Sequence, residues 1–183
     1  MKHVVRKLFM DYQKEEDYLN EMAAKGLALV DYTFARYVFE ETPKGEYIYR
    51  IELLENPVKH VESQNYIRFM EESGIEFVSS VYRWVYFRRK AADGAFDIYT
   101  DMDSRIRHFR RIRSLSLFGA LINLFIGIFN FYYGFFEVSF GIPPFNSYIS
   151  IVSFTVFTLI LIIVILPMTK KITSLEKEKS IRE

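Results

Sequence analysis

LSLFGALINLFIGIFNFYYGFF, residues 115–136, contains no Lys, Arg, Asp or Glu. At about 1.5 Å of rise per residue, it reaches across the roughly 30 Å hydrocarbon core of a bilayer. Directly before it stand Arg105, Arg107, Arg110, Arg111 and Arg113, with His108 among them. An uncharged run abutting an arginine cluster marks a transmembrane helix and its cytoplasmic end. Upstream of the cluster the chain is rich in charge, whereas from 114 to 169 the only charged residue is Glu137.

Downstream, a second uncharged run at 148–168 is closed by Pro167, Lys170 and Lys171. The connecting stretch carries Gly141-Ile142-Pro143-Pro144 and no Lys or Arg. Basic residues outside both spans and none between them put both termini on the cytoplasmic side. The aromatic residues from Phe131 to Phe136, Tyr132 and Tyr133 included, and Tyr148 make aromatic belts at the far interface. The expected plan is a cytosolic domain over 1–100, a basic juxtamembrane helix over 101–113 and spans over 114–137 and 148–168. An external link over 138–147 and a frayed cytosolic tail over 169–183 complete it.

Within the first span Ser116, Ala120, Asn123, Gly127, Asn130 and Gly134 recur at spacings of four and three. These small and polar residues share one helix stripe, as a helix-packing face in lipid requires. Ser150, Ser153 and Thr158 are the expected partners of the two asparagine amides. A transport path is the sharper alternative, but two helices and two amides are poor material for a pore. The membrane-interface residues are Arg105, Arg107, Arg110, Arg111, Arg113, Lys170 and Lys171. Against a span they meet anionic headgroups more simply than nucleic acid, which needs a face free of membrane.

A chain of 183 residues with net charge +1 and mean hydropathy +0.03 hides this division, so its overall charge says nothing about partners. The absence of cysteine excludes disulfides, thiolate catalysis and thiolate metal sites. The apolar run at the N-terminus is too short for a signal peptide. His3, His60 and His108 are dispersed, and no HExxH, GxSxG, P-loop or GxGxxG pattern occurs. Asp97, Asp101 and Asp103 could gather a cation, but without a glycine-containing loop a helix cap is the simpler reading. The pairs Glu15/Glu16, Glu40/Glu41 and Glu71/Glu72 fall on what read as solvated faces. No enzyme, metal or cofactor is expected.

The first hundred residues alternate in character. A strand is expected over 4–10, then a helix capped by Asp11 and stopped at Gly26. Strands follow over 27–34, 36–41 and 46–54, then a helix over 58–73 stopped at Gly74, then strands over 75–80 and 82–90. In the fourth strand Tyr47, Tyr49, Ile51 and Leu53 alternate with Glu46, Arg50 and Glu52. In the last, Tyr82, Trp84 and Tyr86 alternate with Val81, Val85 and Phe87, so it is apolar on both faces and reads as central or doubly covered. The expected class is α+β: a small antiparallel sheet with two helices on one face, with a ferredoxin-like variant as first topology, followed by a transmembrane helical hairpin. The aromatic residues, Tyr32, Phe34, Tyr37 and Phe39 included, read first as sheet core. The sharper reading makes Tyr82, Trp84 and Tyr86 a partner-binding surface.

Three stretches carry a resemblance: YLNEMAAKGL (18–27), RWVYFRRK (83–90) and IYTDMDSRI (98–106). In this order they resemble the bacterial domain-of-unknown-function family numbered 2812, in which a cytosolic domain precedes two membrane spans. That family usually has Trp where this chain has Tyr18, and often where it has Leu27; both replacements stay large and apolar. The resemblance implies no chemistry and no catalytic residues. Members are often encoded beside PadR-type transcription regulators, which implies regulation. The resulting expectation is a regulatory or sensor module in the cell membrane whose cytosolic domain binds a protein partner, such as a PadR-type regulator. The alternative is an accessory subunit of an envelope transporter, docking through its hairpin. The partners are then the bilayer and a protein, with no direct nucleic acid and room for a homo-oligomer.

Overall fold

The computed structural model describes residues 2–99 and 101–182; Thr100, at the expected domain boundary, lies outside them. The chain divides into two compact units, Met1–Asp101 and Met102–Glu183.

In the first unit the order is β1 (Lys2–Arg6), α1 (Tyr12–Ala24), β2 (Leu27–Thr33), β3 (Arg36–Glu41), β4 (Tyr47–Leu53), α2 (Val61–Glu72), β5 (Glu76–Val81) and β6 (Trp84–Lys90). This is the α+β succession expected. The Asp11 carboxylate accepts from Gln13 N at 3.0 Å and caps α1. Gly26, at φ 88°, lets the chain leave α1 in the left-handed region, and a Cβ there would meet the Thr42 carbonyl oxygen at 2.9 Å.

The strands divide between two antiparallel sheets, ordered β1-β3-β2 and β4-β6-β5, in place of the single sheet expected. The two halves of the unit therefore repeat one another. Each is a strand, a helix and a hairpin, and each hairpin strand next to the helix carries a bulge, between Leu29 and Asp31 in β2 and between Phe77 and Ser79 in β5. Gly26 and Gly74, Leu29 and Phe77, and Thr33 and Val81 stand at equal displacements along the chain.

β2 and β5 lie side by side. Tyr32 N donates to Ser79 Oγ at 3.3 Å, and that hydroxyl donates to Tyr32 O at 3.0 Å. Three residues earlier, Leu29 O accepts from Arg88, whose Cα partner is Glu76. Tyr32 thus stands level with Ser79, and Leu29 level with Glu76. The two strands run in the same direction, and both hairpin tips emerge at one end of the unit.

The main core joins both sheets to α1 through Leu19, Ala23, Leu29, Tyr37, Phe39, Tyr49, Ile51 and Tyr86. A second cluster under α2 holds Ile67, Met70, Val85, Phe87 and Phe96. β6 is accordingly central and covered on both faces, as its two-sided apolar pattern requires. β4 is an edge strand whose backbone is closed by side chains of α1. Tyr49 N donates to Asn20 Oδ1 at 2.8 Å, and Ile51 N donates to Glu16 Oε2 at 2.9 Å. This removes the open edge that would otherwise invite pairing.

In the second unit α3 runs unbroken over Met102–Ser139. A tight link through Gly141 leads to α4 (Phe145–Ile160), a π-helical turn (Leu161–Ile165) and α5 (Leu166–Arg182). The last three form one continuous helix, Phe145–Arg182. Pro167 explains the wide turn: it lacks an N–H and its ring crowds the carbonyl four residues back, which a π turn accommodates without breaking the helix. The tail expected to fray is helical to Arg182.

Candidate membrane anchor and buried polar site

Both helices of the second unit are long and apolar enough to cross a membrane, with mean hydropathy 1.8 and 3.0 over their most apolar windows. Only 17% of each window is buried, unlike the core helix of a soluble protein. Phe118, Phe125, Phe131 and Phe135 on α3 and Ile151 and Val152 on α4 are exposed, as lipid-facing residues are.

The small-residue stripe faces inward. Ala120, Gly127 and Gly134 are buried, and Ser116, Asn123 and Asn130 are half-buried beside them. A Cβ on Gly127 would stand 2.8 Å from the Phe154 ring, and one on Gly134 would stand 2.8 Å from Ser147 N. The helices approach this closely because those two positions have no side chain. The asparagine amides behave otherwise than expected. Asn123 Nδ2 donates to Gly119 O at 3.0 Å and Asn130 Nδ2 to Ile126 O at 2.8 Å, both in their own helix. Thr158 likewise bonds back to Phe154 O at 2.8 Å, while Ser150 and Ser153 are buried. An amide in lipid takes the nearest carbonyl, and the i−4 carbonyl of its own turn is always in reach.

Glu137 sits where α3 meets the link. Its carboxylate accepts from Asn146 N at 2.9 Å and from Asn146 Nδ2 at 2.6 Å. An anion at the start of α4 satisfies free N–H groups and the positive end of the helix dipole, which accounts for the lone acid between the spans.

At the other end α5 packs along the basic segment of α3. Arg110 pairs with Glu176 at 2.5 Å and Lys179 with Asp103 at 2.9 Å, while Lys171 Nζ lies 4.6 Å from the centre of the Phe109 ring. Ile106, Phe109, Ile112, Met168 and Ile172 are buried. Burial, with Arg111 and Lys171 adding to it, holds the His108 imidazole down to about 3. Arg105, Arg107, Arg110 and Lys170 remain exposed, and Arg111, Arg113 and Lys171 are half-buried.

The acidic residues named from sequence do not converge: among the described residues no group of three could hold a metal ion. Asp97 Oδ1 accepts from Tyr99 N at 3.2 Å, and Asp103 takes Lys179 instead of acting only as a helix-start acid. Glu15 corrects the sequence reading most sharply. It is 8% exposed, and one carboxylate oxygen accepts from Tyr37 at 2.6 Å and Tyr86 at 2.8 Å. Burial raises its pKa, against the lowering effect of those two bonds. Period alone put it on a solvated face, because its partners lie on strands far along the chain.

Tyr82, Trp84 and Tyr86 do not share one surface. Tyr86 is buried at Glu15, Trp84 is half-buried with its ring 5.5 Å from Tyr12, and Tyr82 is 66% exposed.

A family model described as a protein of unknown function, DUF2812, matches residues 11–121. The chain belongs to that family. The DUF2812 match begins at Asp11, the cap of α1, after β1, and runs through β2 to β6 and the basic segment into the first apolar turns of α3. No curated protein and no solved structure matches the chain.

Proposed function

We propose that this protein is a regulatory or sensor module of the cell membrane, with both termini cytoplasmic. Its α+β domain binds a protein partner and catalyses no reaction. The observation that carries this reading is the pair of helices in the second unit. The same two rods that present apolar side chains to lipid continue, clamped by Arg110–Glu176 and Lys179–Asp103, into the charged segment outside it. A change in how the spans pack at Gly127 and Gly134 has a continuous path out of the bilayer. Basic residues at that end and none in the link support the cytoplasmic orientation.

The partner class that the family resemblance favours is a PadR-type transcription regulator. Reading the protein instead as an accessory transporter subunit loses its best support, since Gly127 and Gly134 are already covered by Phe154 and Ser147 of the same chain. Affinity purification from a mild detergent extract separates the two: a soluble regulator supports the module, and polytopic membrane proteins overturn it. A Gly-Ser-Gly insertion between Ser104 and Arg105 then tests transmission. A response that survives the insertion reduces the rods to an anchor.

A further inference from the structure

One end of the sheet unit collects apolar side chains in the open. Leu8 is 66% exposed, Met10 55%, Phe34 79% and Tyr82 66%. Phe34 and Tyr82 belong to the two-residue tips of the β2–β3 and β5–β6 hairpins, which emerge together because β2 and β5 run the same way. Lys7 N donates to Ala35 O at 2.9 Å, which lays the segment containing Leu8 beside the first tip.

Both turns adopt the left-handed region on a residue other than glycine, Ala35 at φ 61° and Tyr82 at φ 58°. A bulky residue there is a strained choice. At Tyr82 the strain holds an aromatic ring out into the surroundings, where water would reward a glycine or asparagine more. The tip backbone is meanwhile bonded within the protein. Ala35 N donates to Tyr32 Oη at 3.2 Å, and Leu54 N donates to Arg83 O at 2.8 Å. These groups can leave water without losing partners.

Four cations stand in or next to the same segments, Arg6, Lys7, Arg36 and Arg83; the Lys7 ammonium lies 4.7 and 4.2 Å from the centres of the Phe9 and Tyr18 rings, and Arg83 Nε donates to Leu54 O at 2.8 Å. Of the acids beside them, Asp31 pairs with Arg36 at 3.6 Å, Asp11 caps α1 and Glu55 follows Leu54, which leaves four cations against three acids. Exposed aromatic and aliphatic tips ringed by Lys and Arg suit the headgroup zone of an anionic bilayer. Aromatic rings settle at that depth and basic side chains meet lipid phosphates there. A chain with membrane spans also holds such a surface at high local concentration.

We propose that this end of the domain docks on anionic lipid, with Phe34, Tyr82 and Leu8 inserted at the level of the headgroups. The proposal rests on the reading of α3 and α4 as spans, and the test separates the two. The chain has no cysteine, so single substitutions accept one fluorophore each. The full-length protein is placed in nanodiscs of phosphatidylcholine and phosphatidylglycerol that contain nitroxide-labelled lipid. An environment-sensitive dye is attached in turn at F34C, Y82C, F125C and E72C. Emission at positions 34 and 82 should shift to the blue and be quenched well beyond position 72, which ends α2 before the opposite end of β5 and should keep its emission, while position 125 reports the span itself. Replacing phosphatidylglycerol by phosphatidylcholine should weaken quenching at the tips but not at position 125. Tips that behave like position 72 while position 125 is quenched overturn the docking proposal. Tips that shift blue without quenching are covered by protein, which also overturns it. An unquenched position 125 removes the span reading itself.

Discussion

Three glycines of α3 offer a graded test of helix packing. A Cβ at Gly119 meets nothing within 4 Å. At Gly127 it meets Phe154 ring carbons at 2.8, 2.9 and 3.3 Å. At Gly134 it meets backbone of Ser147, with N at 2.8 Å and Cα at 3.1 Å. Carbon contacts relax at about 3.5–4.0 Å, so the last two sites need roughly an ångström of movement. At Gly127 the movement can be a tilt of the Phe154 ring. At Gly134 the neighbour is backbone, so the helices themselves must part. Parting strains the adjacent bonds from Asn146 to Glu137, at 2.9 and 2.6 Å.

Gly119→Ala should therefore be neutral or stabilising within about 1 kcal/mol. Gly127→Ala should cost about 1 kcal/mol, at the low end of overpacking. Gly134→Ala should cost about 3 kcal/mol, the high end of overpacking, because the neighbouring charged hydrogen bonds are disturbed with it. Reversible unfolding of the full chain in mixed micelles, followed by helical circular dichroism, measures the order. Equal effects at all three sites, or the largest at Gly119, would refute the inward-facing stripe.

Other residues test the remaining structure. Glu15→Gln keeps an acceptor for Tyr37 and Tyr86 without a buried charge, so it should match or exceed the parent's stability at neutral pH; Glu15→Ala strands two hydroxyls and should cost about 2–5 kcal/mol, both read by denaturant unfolding. Because burial raises the Glu15 pKa, its contribution is fully present below the ordinary glutamate range and is lost as pH rises through the raised folded value; E15Q should remove that part of the pH slope. His108 runs the other way: its pKa falls from 6.5 to about 3, so its stabilising effect is present above 6.5 and drains away as pH falls towards 3. His108→Gln should flatten the acid limb of the unfolding profile. Phe39→Ala and Phe87→Ala, at fully buried sites, should each cost about 3–5 kcal/mol and Trp84→Ala distinctly less, since Trp84 is only half-buried, as thermal unfolding would show.

The local signals in the chain read true. Asp11 and Gly26 bound α1, the β6 alternation announces a strand covered twice, and the four-three spacing of small residues marks the face turned to α4. Each depends on neighbours within a turn or a pleat. What stayed hidden depends on distant partners. The division into two sheets follows from β2 and β5 meeting through the Ser79 side chain instead of a backbone ladder, which no periodicity encodes. Glu15 looks like an ordinary first-turn acid until Tyr37 and Tyr86 close over it. The tail is polar and mixed in charge, yet Glu176 and Lys179 find Arg110 and Asp103 on α3, so its helix has a partner that its composition alone does not show. The repeat of the two halves shows in the sequence as identical residues 48 positions apart, Tyr18 and Tyr66, Met22 and Met70, Gly26 and Gly74, Val30 and Val78, and Phe39 and Phe87, too scattered to stand out before the two hairpins are laid over one another.

The central claim is an anchored module: a helical hairpin through the membrane with the sheet unit and the tail on the cytoplasmic side. The cysteine-free chain allows one direct measurement, labelling intact cells with a membrane-impermeant maleimide after K44C, F140C or S180C is introduced. The account predicts labelling at position 140 in intact cells, and labelling at positions 44 and 180 only after the membrane is opened. Labelling of position 44 or 180 in intact cells, or protection of position 140, would contradict it.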